Sequence, residues 1–104
     1  MIDKTTAVQT VLNRLEKLEC GDCLDMRTYK RNRSVLFVRN APDRFLVIQN
    51  GFEVQRYENI PLGKMKKLIK LLLRKEFPRS TKIRLYALGR YDPSLHDELA
   101  RKKI

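Results

Sequence analysis

Few residues in this chain could do covalent chemistry. Two cysteines stand in the tetrad Cys20-Gly21-Asp22-Cys23. Such a pair serves redox or metal chemistry where a helix N-terminus or nearby cations favour the thiolate. Here the tetrad follows a helical pattern and neighbours Glu19 and Asp22, which disfavour it. A zinc site would need two further ligands, yet the chain has no other cysteine and only His96. Nothing in the spacing supports a site shared across a dimer. His96, among Asp92, Asp97 and Glu98, fits a solvent-exposed helical residue. There is no Gly-rich phosphate loop, no GxSxG and no paired-His metal spacing. The spacing of Asp22 and Asp25 does not recommend a metal-dependent nuclease. The expectation is a protein that is not an enzyme and uses no cofactor or metal.

What remains is charge. The 104 residues carry 23 Lys and Arg against 12 Asp and Glu, a net charge of +11 at pH 7, with a pI near 10.1. Only concentrated charge creates a field that attracts a polyanion. From Arg27 to Arg39 there are five bases and no acid; from Lys64 to Arg84 there are nine bases and one acid, Glu76. The rest of the chain is slightly acidic, so the excess belongs to two stretches.

Those stretches need elements to position them. Val8, Val11, Leu12, Leu15 and Leu18 recur at helical spacing and predict a helix over 5–18, with Thr5 or Thr6 as its cap and Gly21 at its end. Leu24 to Tyr29 alternates with period two, as a half-buried strand does. Ser34 to Val38 and Arg44 to Gln49 are near-continuous β-branched and aromatic runs, as in central strands, joined through Asn40-Ala41-Pro42-Asp43. Asn50-Gly51 predicts a two-residue type I′ hairpin into a strand over 52–57, because both turn positions of that hairpin need positive φ. After Pro61 and Gly63, Leu62, Met65, Leu68, Ile69, Leu72 and Leu73 share one arc of a second helix, which Pro78 ends. A last strand over 81–87 points Ile83, Leu85 and Ala87 inward. The expected fold is α+β: an N-terminal helix, a four-strand antiparallel meander, a second basic amphipathic helix and a final strand, with both helices on one sheet face. The chain reads as a single domain over 1–104, with 92–104 a tail or short helix.

Lys64, Lys66, Lys67, Lys70, Arg74 and Lys75 fall on the polar face of the second helix. Such a face usually interleaves Glu at i,i+4, because unrelieved like charge costs a few tenths of a kcal/mol per pair. From Lys64 to Lys75 there is no acid, which favours an external anion over simple solvation. Arg27, Tyr29, Arg31 and Arg33 share one strand parity, as do Lys82, Arg84 and Tyr86, and are expected to look outward from the sheet. Cations beside rings suit a nucleic-acid strand, whose phosphates they hold while its bases stack. An ordinary polar sheet face is the competing interpretation. Helix and strand charges point opposite ways and could meet only at an edge, through Arg31, Arg33, Arg79 and the loops. A merged groove would favour nucleic acid, and two opposed patches an interaction module.

The order of helix, strand, Asn40-Ala41-Pro42-Asp43 loop, strand, Asn50-Gly51 turn, strand and then Lys64-x-Lys66-Lys67 opening a helix resembles a double-stranded RNA-binding domain over about two thirds of the chain. The resemblance implies that Lys64, Lys66 and Lys67 clamp phosphates. Leu68 to Leu73 departs from the small residues of that family, and one extra strand precedes the meander while another follows the helix.

The expected partner is therefore nucleic acid, DNA or RNA, held by its backbone. The alternative is a protein-interaction module docking an acidic partner or a second copy. No apolar stretch approaches the ~18 residues of a spanning helix and the first residues offer no secretory signal, so membrane insertion is not expected and a cytoplasmic location is.

Overall fold

The computed structural model describes residues 2–28, 33–51, 53–78 and 82–91. Within them the chain runs β1 (Ile2–Asp3), α1 (Lys4–Lys17), β2 (Asp22–Thr28), β3 (Ser34–Ala41), β4 (Arg44–Asn50), β5 (Val54–Ile60), α2 (Leu62–Glu76) and β6 (Lys82–Arg90). The strands form one antiparallel sheet in the order β1-β6-β2-β3-β4-β5. The fold is α+β, as the pattern predicts. The expected meander is β2 to β5, and β6 returns along the free side of β2. A sixth strand, β1, was not expected, because two residues cannot display a period.

Both helices pack on one face of the sheet. Ala7, Val11 and Leu15 of α1 join Met65, Ile69, Leu72 and Leu73 of α2 over Leu24, Met26, Val35, Phe37, Phe45, Val47 and Ile83. Each fully buried side chain of this kind contributes about 1.5–3 kcal/mol relative to exposure. The apolar arc of α2 is thus its seat on the sheet. Arg39 closes the margin of this layer: its guanidinium donates to the carbonyls of Glu16, Leu18 and Pro42 and lies over the Phe45 ring.

Local signals were redirected in two places. The cap of α1 is Asp3, not Thr5 or Thr6, and no side chain bonds there. Pairing of Asp3 with Lys82 leads the chain from β1 straight into the helix, and Thr6 Oγ1 instead donates back to the Asp3 carbonyl at 3.1 Å. At the other end Leu18 is the C-cap, while Gly21, at φ +94°, serves the turn into β2. At α2 the first amide is held from afar, Leu62 N donating to Asp43 Oδ1 at 2.9 Å.

The second redirection is the Asn50-Gly51 turn. A hairpin does form, but Asn50 pairs with Val54, leaving residues 51–53 between the strands. Neither Asn50 nor Gly51 has positive φ, so the turn is not type I′. Gly51 is required for a different reason. A Cβ there would lie 2.0 Å from Glu76 Oε1, since the Glu76 carboxylate is fully buried beneath the turn. Its Oε2 accepts from Gln49 Nε2 at 2.6 Å and from Glu53 N at 3.2 Å. Tyr57 Oη donates to Gln49 Oε1 at 2.9 Å, and an Arg33 guanidinium nitrogen donates to the Glu76 carbonyl at 3.1 Å. This network ties the last turn of α2 to β4, β5 and their turn.

Substituting Gly51→Ala should therefore lower unfolding stability by roughly 2 kcal/mol in a urea titration. In a Glu76→Ala background the same substitution should cost under about 0.5 kcal/mol, because the atom it strikes is gone. Additive losses across this double-mutant cycle would exclude the carboxylate as the reason for glycine.

Candidate nucleic-acid interface

The cations of α2 stand where the helical period puts them. Met65, Ile69 and Leu72 are fully buried against the sheet, which leaves Lys64, Lys66, Lys67, Lys70, Arg74 and Lys75 exposed on the opposite side. Lys75 lies 3.6 Å from Glu53 Oε2. The other five make no ion pair among the described residues. With a rise of about 1.5 Å per residue, Lys64 to Arg74 extends for roughly 15 Å. Lys66, Lys70 and Arg74 are four residues apart and form one row, one turn between neighbours. Leu71 interrupts the basic face and is 38% exposed. No acidic side chain stands in the first turn of α2, so positive charge and the positive helix end coincide there.

The strand cations behave differently. Arg27, Arg84 and Tyr86 do share the far face of the sheet, away from the helices, with Arg27 opposite Arg84 and Asp25 opposite Tyr86. Arg27 Nε, however, bonds the nearly buried Asp25 carboxylate, and its guanidinium lies 5.8 Å from the Tyr86 ring centre. Lys82 pairs with Asp3 across the β1–β6 edge. Arg33 departs from the expected parity, because the chain turns between β2 and β3, and its guanidinium bonds the Glu76 carbonyl on the helix side. Tyr29, Arg31 and Arg79 lie outside the described residues, as do His96 and the tail. Among the described residues, the cations of the 27–39 stretch are engaged within the protein.

The two basic sets lie on opposite sides of one sheet. Helix cations project away from it on the near side, while Arg27, Arg84 and Lys82 stand on the far side. No single groove joins them among the described residues. The far face is also more apolar than the alternation of Arg27 and Arg84 suggests: Cys23, Val38 and Leu46 are buried there, with Leu36, Ile48 and Tyr91 packed against them. Sequence reasoning missed this cluster and the Glu76 network. The first was legible in the unbroken apolar runs of β3 and β4, which imply burial on both faces. The second had a signal in the lone acid at a helix C-terminus, where the dipole opposes it.

The cysteines separate. Cys20 is exposed and Cys23 buried, neither in a disulfide. Cys23 belongs to β2, not to a turn, and its Sγ lies 3.4 Å from the Gly89 carbonyl. Burial, then Asp25 and Asp22, push its thiol up to about 11, the opposite of what a nucleophile requires. Among the described residues no three His, Cys, Asp or Glu side chains cluster as metal ligands. None of the helices there is long and apolar enough to cross a membrane.

No family model, curated protein or solved structure matches the chain.

Native protein at pH 8 should thus expose one fast-reacting thiol. Cys23, with a thiolate fraction of about 0.001 at that pH, should label slowly and accelerate about tenfold per unit as pH rises toward 10. An unfolded Cys ionises near 9.0 and the folded one near 11, so the neutral-thiol contribution is complete below pH 9 and lost as pH rises to 11. Rapid labelling of both thiols at pH 8, followed by mass spectrometry, would contradict this account.

Proposed function

We propose that this chain is a small module that binds the phosphate backbone of DNA or RNA through α2, without catalysis and with little reading of base sequence. The observation that carries the proposal is the exposed face of Lys64, Lys66, Lys67, Lys70 and Arg74, free of ion pairs among the described residues. Five like charges on about three turns repel one another, and an external polyanion relieves that repulsion. Lysine suits this role, being a mobile point charge that follows phosphates without demanding one geometry. The strand residues Arg27, Lys82, Arg84 and Tyr86 have no part in the contact as proposed, since Arg27 and Lys82 hold carboxylates and all four stand on the other side of the sheet.

One observation favours a second reading. The cations divide between opposite sides instead of merging, as they would for a protein-interaction module docking an acidic partner. Salt and sequence dependence separate the two. For nucleic acid, the logarithm of the association constant should fall linearly with the logarithm of salt, with a slope of about −4 if α2 neutralises four to five phosphates, whatever the base sequence. Charge reversal at Lys66→Glu, Lys70→Glu and Arg74→Glu together should weaken binding by more than about 100-fold and flatten the slope by about three. Arg84→Gln should change affinity less than about twofold. Absence of binding to single- and double-stranded DNA and RNA in fluorescence titrations at about 50 mM salt would overturn the proposal.

A further inference from the structure

The two edges of the sheet are unlike. At one end of the strand order stands β5, which carries Arg56, Glu58 and, at φ 56°, Asn59. Charge and backbone irregularity are devices by which an edge resists a further strand. At the other end β1 covers only the start of β6, through Ile83 and Lys82. From Leu85 to Leu88 no strand lies on the outer side of β6 among the described residues. Leu85-Tyr86-Ala87-Leu88 holds neither a charge nor a proline, and its register on β2 is unbroken to Ala87. Ala87 is exposed and Leu88 is 39% exposed. Alternate residues of such an edge aim an amide and a carbonyl outward, ready to pair.

Beside this edge, on the helix side of the sheet, lies a cleft of about 500 Å³. Leu18, Leu24 and Ala87 give it an apolar floor, Thr10, Arg14 and Lys17 line it from α1, and no acid lines it among the described residues. The helix α1 packs on β1 and β6, and α2 on β4. At 100° per residue, Thr10, Arg14 and Lys17 fall on the side of α1 opposite Val8 and Leu12, which pack into the shared core. They therefore face the β6 edge. Arg14 and Lys17 are exposed and make no ion pair among the described residues.

We infer that the cleft and the β6 edge together receive an extended, acidic segment of a partner protein. The segment adds as a strand beside Leu85 to Leu88, seats an apolar side chain over Leu24 and Ala87, and places carboxylates on Arg14 and Lys17. Strand addition draws affinity from the backbone, and pockets for alternate side chains supply the choice of sequence. A second copy is a poor occupant. Two β6 strands paired antiparallel about Tyr86 would set Lys82 opposite Arg90 and bring together two chains of net charge +11, and like charges directly opposite are unfavourable. The site lies on the side of α1 away from α2 and is independent of what α2 binds.

The probe is a phage-displayed library of random octapeptides, selected on the full chain. Enriched sequences should carry an acidic residue two positions from an aliphatic or aromatic one, the spacing that puts both on one side of a strand. A synthetic peptide of the enriched sequence should lose at least about tenfold in affinity when Arg14→Gln and Lys17→Gln are introduced together, or Ala87→Trp, which fills the cleft. An equal loss of charge on α2, through Lys66→Gln and Lys70→Gln, should cost less than about threefold. In the complex, amides within 85–88 should exchange at least about tenfold more slowly, a measurement that decides even if Ala87→Trp does not fold. A library without enrichment, equal losses from the two charge pairs, or unchanged exchange at 85–88 would each overturn the inference. So would protection of 85–88 in the free chain that rises with its own concentration, since a second copy would then be the occupant.

Discussion

The buried carboxylate of Glu76 constrains more of this molecule than any other single group. Removing a charge from water costs several kcal/mol unless it is hydrogen-bonded, and Glu76 is held by a side-chain amide from β4 and a backbone amide from the hairpin turn. Those donors come from segments distant in sequence and are in place only when the hairpin is closed and α2 is seated. The carboxylate therefore links three events: the register of β4 with β5, the absence of a side chain at residue 51, and the docking of the α2 C-terminus. A helix anchored at that end by Glu76, and along its length by Met65, Ile69 and Leu72, has no freedom to rotate. The lysines point outward as a consequence of what is buried beneath them.

The same constraint explains why equal charge in the two basic stretches has unequal meaning. Arginines of the 27–39 stretch act as connectors: Arg27 on Asp25, Arg33 on the Glu76 carbonyl, Arg39 on three carbonyls at the rim of the helix layer. A planar guanidinium with five donors is suited to satisfying several fixed acceptors at once. The cations of α2 itself are mostly lysine, and apart from Lys75 none of them makes an ion pair among the described residues. Net charge counted along the chain treats both stretches alike, whereas the position of acceptors distinguishes them.

Much of the fold was legible because it rests on period. The apolar arcs of α1 and α2, the central runs of β3 and β4 and the alternation of Lys82 to Leu85 depend only on which side of an element a residue occupies. So does the exposed lysine face of α2, the part of the candidate site that sequence alone located. What escaped depends on partners far along the chain. Asn50-Gly51 has the composition of a type I′ turn, yet its glycine is dictated by a carboxylate 25 residues later. The α1 cap was lost to a strand of two residues whose pairing partner is β6. Arg33 changed sides because parity holds only within a strand, and a turn separates it from Arg27.

A sheet with helices on one side ordinarily presents polar residues on the other, and the alternation of Arg27, Arg84 and Tyr86 suggested such a face. Its centre does not behave that way. Leu36, Val38, Leu46 and Ile48 face away from the helices, and at Val38 and Leu46 they are as dry as the core proper. Strands apolar on both sides need burial on both sides, and a thiol pushed up to about 11 beside Asp25 is what a dry far face produces. The two basic sets consequently differ in setting: the far-side arginines border a closed, partly apolar surface and are tied into it, while the α2 lysines rim nothing and remain in water. A phosphate backbone bound as proposed would meet, among the described residues, hydrated charge free of ion pairs on the helix side, which is why the proposal places it on α2 and not on the sheet.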